Sequence, residues 1–120
     1  MNNPYVNHPD VVVEEGKNGW WVVRLNRPKS LHALDDQIVT ALYSVFEYLH
    51  NNEQVKAIWF DSTTPKAFCA GGDVRKLRQL VISGEVEQAK AFFRHEYALD
   101  RLLHHYIKPV VVWGEGYVMG

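Results

Sequence analysis

The sequence predicts an α/β layered fold, and three observations carry that prediction. Short β-branched and aromatic runs alternate with longer stretches whose apolar residues recur at helical spacing. A glycine-rich four-residue segment joins the first two runs as a hairpin. The later runs are separated by helical segments long enough to serve as crossovers between parallel strands. The element order reads ββαβααβ.

Val11 to Glu15 and Trp20 to Leu25 are the first two strands, joined by Gly16-Lys17-Asn18-Gly19. Asn26 to Ser30 is a loop, because Pro28 fixes its own backbone and restricts the residue before it. From Asp35 the positions Ile38, Leu42, Val45, Phe46 and Leu49 form one helical stripe to about His50, with Asp35 and Asp36 placing negative charge at the helix start. Lys56 to Phe60 reads as a covered strand and the following DSTTPK as a turn. Asp73 to Ile82 reads as a helix that Ser83-Gly84 interrupts. Glu85 to about Tyr106 is a longer helix carrying Val86, Ala89, Phe92, Phe93, Tyr97, Leu99, Leu102 and Leu103. Pro109 to Trp113 is the last strand, and GEGYVMG follows it.

The chain reads as one unit without an internal boundary. In a layered fold a buried strand followed by a glycine loop leads into a covering helix, so residues 1–120 are expected to be the N-terminal portion of a larger domain, here truncated. With 47% apolar residues among 120, the chain has the material of a core. Thirteen basic against fourteen acidic side chains give a net charge of −1, which offers no footprint for nucleic acid or an anionic membrane. The single cysteine, Cys69, excludes an intrachain disulfide, and the N-terminus shows neither an apolar signal core nor an arginine-rich presequence. A cytoplasmic protein is expected.

In FCAGGDVR the paired Gly71 and Gly72 allow a sharp turn with outward-facing amides, and Asp73 is placed to cap the next helix. Such a turn either merely joins strand to helix or binds an anion, the Gly72 N–H being the donor toward a developing oxyanion. Gly114-Glu115-Gly116-Tyr117-Val118-Met119-Gly120 does not match the dinucleotide fingerprint, whose third glycine falls at Met119. Glu96, in FFRHEYALD, is either a substrate-facing carboxylate raised by apolar neighbours or a solvated glutamate beside Arg94 and Asp100. His95, His104 and His105 lack metal-ligand spacing, so no metal is expected. Cys69 reads as a small buried thiol, and Arg27, Lys29, Arg75 and Lys76 are either phosphate contacts or solvated charges.

LNRPKSLHAL at Leu25 to Leu34, KAFCAGGDVR at Lys66 to Arg75 and KPVVVWGEGYVMG at Lys108 to Gly120 occur in the order and spacing of the crotonase (enoyl-CoA hydratase/isomerase) superfamily, which the chain resembles. CAGGDVR, FFRHEYALDRLLHHY and the VMG ending look most like its 3-hydroxyisobutyryl-CoA hydrolase branch, the thioesterase associated with valine breakdown. The resemblance implies a ββα-repeat spiral and an acyl-CoA ligand, coenzyme A being part of the substrate and no separate cofactor being needed. It implies that the Gly72 N–H is one half of an oxyanion hole, the other amide following Gly120. Glu96 would contact substrate, with Gly72, Asp73, Val74, Arg75 and Gly120 lining its channel and the backbone of Lys29, Ser30 and Leu31 meeting the nucleotide end. His32 departs from the family's asparagine, which bears on the hydrogen bonds that shape this loop. The acidic catalytic residues implied by the resemblance come later than position 120, so these residues alone are expected to be inactive and to self-associate through exposed apolar surface. The alternatives are an enoyl-CoA hydratase/isomerase and a noncatalytic oligomerising fragment that keeps part of the CoA cradle.

Overall fold

The hairpin, the helical stripes and the parallel pairings are all present in the computed structural model. It describes residues 4–30, 33–63, 67–69, 74–112 and 117–118, with the backbone alone described at 30, 67–69, 74–77 and 117–118. Strands β1 (Val11–Glu15) and β2 (Trp20–Leu25) pair antiparallel, Val11 opposite Leu25 and Glu15 opposite Trp21. Their turn works as its residues require. Asn18 (φ 58°) and Gly19 (φ 82°) occupy the left-handed region, Gly16 N–H donates to Trp20 O at 2.8 Å, and Trp20 N–H donates to Lys17 O at 3.0 Å. Gly19 O also accepts from Lys56 N–H at 2.7 Å, so a side chain at Gly19 would collide with Lys56 as well as strain the backbone.

A 3-10 turn (Pro28–Ser30) lies in the segment expected to be plain loop. Helix α1 (Asp36–Asn51) starts where its charge pattern says it should: the Asp35 carboxylate accepts from Ile38 N–H at 2.8 Å as N-cap. Its stripe of Ile38, Val39, Ala41, Leu42, Val45, Phe46 and Leu49 is fully buried, in one cluster with Val11, Val23, Leu25, Ile58 and Phe60 of the sheet. The Phe46 ring meets Phe60 edge-on, 5.3 Å between centroids.

Strand β3 (Ala57–Ser62) runs two residues beyond its expected end, because Asp61 and Ser62 pair with Arg24 and Leu25 of β2 in parallel register. The Arg24 guanidinium holds the Asp61 carboxylate at 2.9 Å, so the polar end of this strand is matched by its neighbour rather than by a turn. Two further strands, β4 (Ala67–Cys69) and, at the far end, β6 (Tyr117–Val118), correct the expected order. Runs of three and two residues carry no readable period, and both sit inside motifs dominated by glycine. They pair with each other in parallel as a separate two-stranded sheet.

Helices α2 (Val74–Ile82) and α3 (Val86–His104) meet at a tight turn. Gly84 (φ 81°) donates to Val81 O at 3.2 Å and Glu85 N–H donates to Leu80 O at 2.8 Å, a Schellman closure that only a left-handed residue completes easily. Helix α3 ends two residues before its expected end and packs on α1, its Phe92 and Leu99 in one buried cluster with the α1 stripe. Strand β5 (Val110–Val112) then joins β3 in parallel, giving the sheet order β1-β2-β3-β5. Lys108 Nζ donates to Leu49 O and Asn52 O at 2.6 Å each, a cation on the carbonyl end of α1 that fixes the approach to β5. No helix among the described residues is long and apolar enough to cross a membrane.

Tyr106 ties the end of α3 to α1, its hydroxyl donating to Phe46 O at 2.5 Å, and burial pushes its phenol well above the ordinary value. An unfolded phenol loses its proton near pH 10 while the folded one keeps it, so this contribution to stability is complete below pH 10 and is lost as pH rises above it. Urea unfolding between pH 8 and 11 should therefore show falling stability that Tyr106→Phe makes shallower, at about 1 kcal/mol lower stability below pH 10. Tyr5, also raised by burial and by Tyr48, keeps a remaining slope in the variant. An unchanged slope would show that Tyr106 does not hold its proton through the fold.

Candidate functional site

The helix face that carries Glu96 explains its character. Phe92, Glu96 and Leu99 stand at i, i+4 and i+7 of α3, and the two flanking residues are buried at 3% and 5% exposure. Glu96 is thus the carboxylate in a stripe that otherwise faces the core, and it is half-buried. Burial, and secondarily the Asp100 carboxylate one turn on, raise its pKa above the ordinary carboxylate value. The raised pKa fits one part of the reading made from the sequence, a carboxylate perturbed by its neighbours. His95, beside it and one turn after Phe92, reaches α1: its Nδ1 lies 2.7 Å from Asp36 Oδ1 on the first turn of that helix.

Lys29 and Ser30 form the last two residues of the 3-10 turn, with Lys29 exposed. Arg27, read as a phosphate contact or a solvated charge, is partly buried and has partners within the protein. Its Nη1 donates to Ala33 O at 3.1 Å and lies 3.9 Å from Asp35 Oδ2, so it folds the loop back onto the start of α1. Val74 and Arg75 open α2. Gly72, Asp73, Leu31 and Gly120 lie outside the described residues. Cys69 ends β4. The rings of His104 and His105 meet edge-on, 5.2 Å between centroids, and among the described residues no group of three His, Cys, Asp or Glu side chains is arranged to hold a metal ion.

The short strands that adjoin the two glycine motifs in sequence pair with each other. In β4 and β6, Ala67 aligns with Tyr117 and Cys69 with Val118, so the strands that lead in sequence to Gly71-Gly72 and to Gly120 run side by side in the same direction. Loops leaving the same ends of parallel strands are where α/β sheets place ligands.

A cleft of about 760 Å³ opens between the first turn of α1, the last turn of α2 and the first half of α3, and sequence reasoning did not anticipate it. Asp36, Gln79, Ser83, Glu85 and Gln88 stand at its walls, with Phe92 as apolar floor. Among the described residues that line it there is no lysine or arginine.

Residues 20–120 match the family model for enoyl-CoA hydratase/isomerase. The chain is 36% identical over 110 residues to a probable 3-hydroxyisobutyryl-CoA hydrolase of Arabidopsis thaliana, covering 92% of this chain and 29% of that protein. It is also 31% identical to the small ribosomal subunit protein mS47 of Schizosaccharomyces pombe, covering 100% of this chain and 30% of that protein. Among solved structures, an enoyl-CoA hydratase from Rhodobacter sphaeroides superposes with a TM-score of 0.86 at 28% identity, over 92% of this chain and 33% of that one. The chain thus spans about three tenths of the length of the curated relatives it matches.

Proposed function

The chain belongs to the enoyl-CoA hydratase/isomerase family, and from that membership we propose that it supplies the acyl-CoA-binding part of a thioester hydrolase acting on a short 3-hydroxyacyl-CoA. The observation that supports the reading is the parallel pairing of β4 with β6, the strands that precede Gly71-Gly72 and Gly120 in sequence. The Gly72 N–H would donate to the thioester oxygen as charge develops on it. Glu96 would accept a hydrogen bond from the hydroxyl of the acyl group, and the backbone at Lys29, Ser30 and Leu31 would meet the nucleotide end. The carboxylates that the family resemblance assigns to cleavage come after position 120, so these 120 residues would hold the thioester without turning it over.

Calorimetric titration of this chain with coenzyme A and with 3-hydroxyisobutyryl-CoA tests the reading. Both should bind, the acyl form more tightly. Glu96→Gln should weaken the acyl form about tenfold, the scale of one hydrogen bond to a charged group, and leave coenzyme A unchanged. Because the charged carboxylate is the stronger acceptor, affinity for the acyl form should rise as pH increases through the raised pKa of Glu96, and the glutamine variant should be flat. A second reading, a noncatalytic family member with a structural role, is favoured by the match to mS47 along the full chain. Absence of heat with either ligand would overturn the first reading in favour of the second.

A further inference from the structure

We propose that His95 is a positioning residue: paired with Asp36, it fixes the rotation of α3 on α1 and so aims the Glu96 carboxylate. This inference rests on the role proposed above for Glu96. On α3, Phe92 and Leu99 lie in the core cluster with Leu102 and Leu103 packed against it, apolar side chains that tolerate small rotations of α3 about its axis. Beside Glu96, a directional tie to α1 comes from His95 Nδ1 and Asp36 Oδ1 at 2.7 Å, and a hydrogen bond of that length constrains angle as well as distance. Consecutive helical residues project about 100° apart, so the angle at which His95 is pinned also sets the angle of Glu96. Asp36 is itself well anchored. It occupies the first position of α1, immediately after the Asp35 cap, where the helix favours negative charge. The pair is half exposed on both sides, so its stabilising effect on the fold is small, whereas rotation of α3 changes how the Glu96 carboxylate is shared between the core stripe and water.

The test combines binding and titration on the same chain. His95→Ala and Asp36→Ala should each weaken 3-hydroxyisobutyryl-CoA about two- to fivefold, the factor available to an exposed polar pair, with coenzyme A unaffected. In the Glu96→Gln background neither should have a further effect, because the group they aim is gone. Asp36→Asn, which keeps the acceptor oxygen, should retain most of the affinity.

Carboxyl 13C NMR of Glu96 gives a readout that needs no ligand. If the pair sets rotation, removing either partner turns the carboxylate toward water and lowers its pKa toward the ordinary value. Were the pair to act through charge alone, losing its positive and losing its negative member would shift the Glu96 pKa in opposite directions. Opposite shifts, or additive losses of affinity in the double variants, overturn the inference. An unchanged acyl-CoA affinity in Glu96→Gln instead overturns the role of Glu96 on which it rests, and the NMR shifts still decide whether His95 and Asp36 aim that carboxylate.

Discussion

Replacing Phe46 by alanine is expected to lower the stability of this chain by about 3–5 kcal/mol, a large share of what a domain of this size has. The ring is fully buried at the middle of the α1 stripe and touches both layers that α1 separates. On the sheet side it meets Phe60 at 5.3 Å, and on the other side Tyr106 at 5.9 Å, both edge-on. Deleting it removes two aromatic contacts and leaves a cavity between elements that cannot collapse onto it, because α1 is held at one end by the Asp35 cap and at the other by Lys108. Phe46→Leu, which refills most of the volume, should lose only about 1–1.5 kcal/mol. Urea unfolding followed by far-ultraviolet circular dichroism reads both variants. A loss below about 1 kcal/mol for the alanine would mean that α1 does not pack between sheet and α3 as described.

Asp35→Ala should follow at about 2–4 kcal/mol, combining a lost helix cap with a broken, largely buried charge pair. The carboxylate is 8% exposed, accepts from Ile38 N–H, and faces the Arg27 guanidinium. Its removal takes one opposite charge away from that guanidinium, itself mostly covered, and loosens the turn from Pro28 to Ser30 that Arg27 folds back. The functional consequence is specific: affinity for coenzyme A itself should fall, because the loop proposed to meet the nucleotide end is no longer held. Asp35→Asn keeps a capping oxygen and should lose about half as much stability. Equal losses for alanine and asparagine would place the whole effect on charge, and no loss in either would remove Asp35 from the structural account of the loop.

Elements long enough to show a period were legible in the sequence. The stripe from Ile38 to Leu49 and the paired aspartates before it locate α1 to within a residue, and Gly16 to Gly19 announce the hairpin. β4 and β6 were not legible, since their existence depends on a partner some fifty positions away rather than on any pattern of their own. The same distance in sequence hides the roles of side chains. Arg27 looks like a loop cation, and only its contacts to Ala33 O and Asp35 make it a brace. Glu96 was legible as a carboxylate on an apolar stripe, because helical spacing alone places it between Phe92 and Leu99. His95, one residue earlier, was not, because its partner Asp36 belongs to another helix.

The order β1-β2-β3-β5 has a bearing on how the sheet assembles. The β1–β2 hairpin closes a loop of four residues, whereas β3 must bring α1 along before Trp20 can align with Ala57, and β5 waits for α2 and α3 before Ile58 can align with Val110. Chain entropy lost on closure rises with each step, and β5 has the shortest ladder in this sheet to set against it. The strand order is thus also a timetable: the hairpin is available first as a template, and the edge formed by β5 is the last to gain its neighbour and the first to give it up.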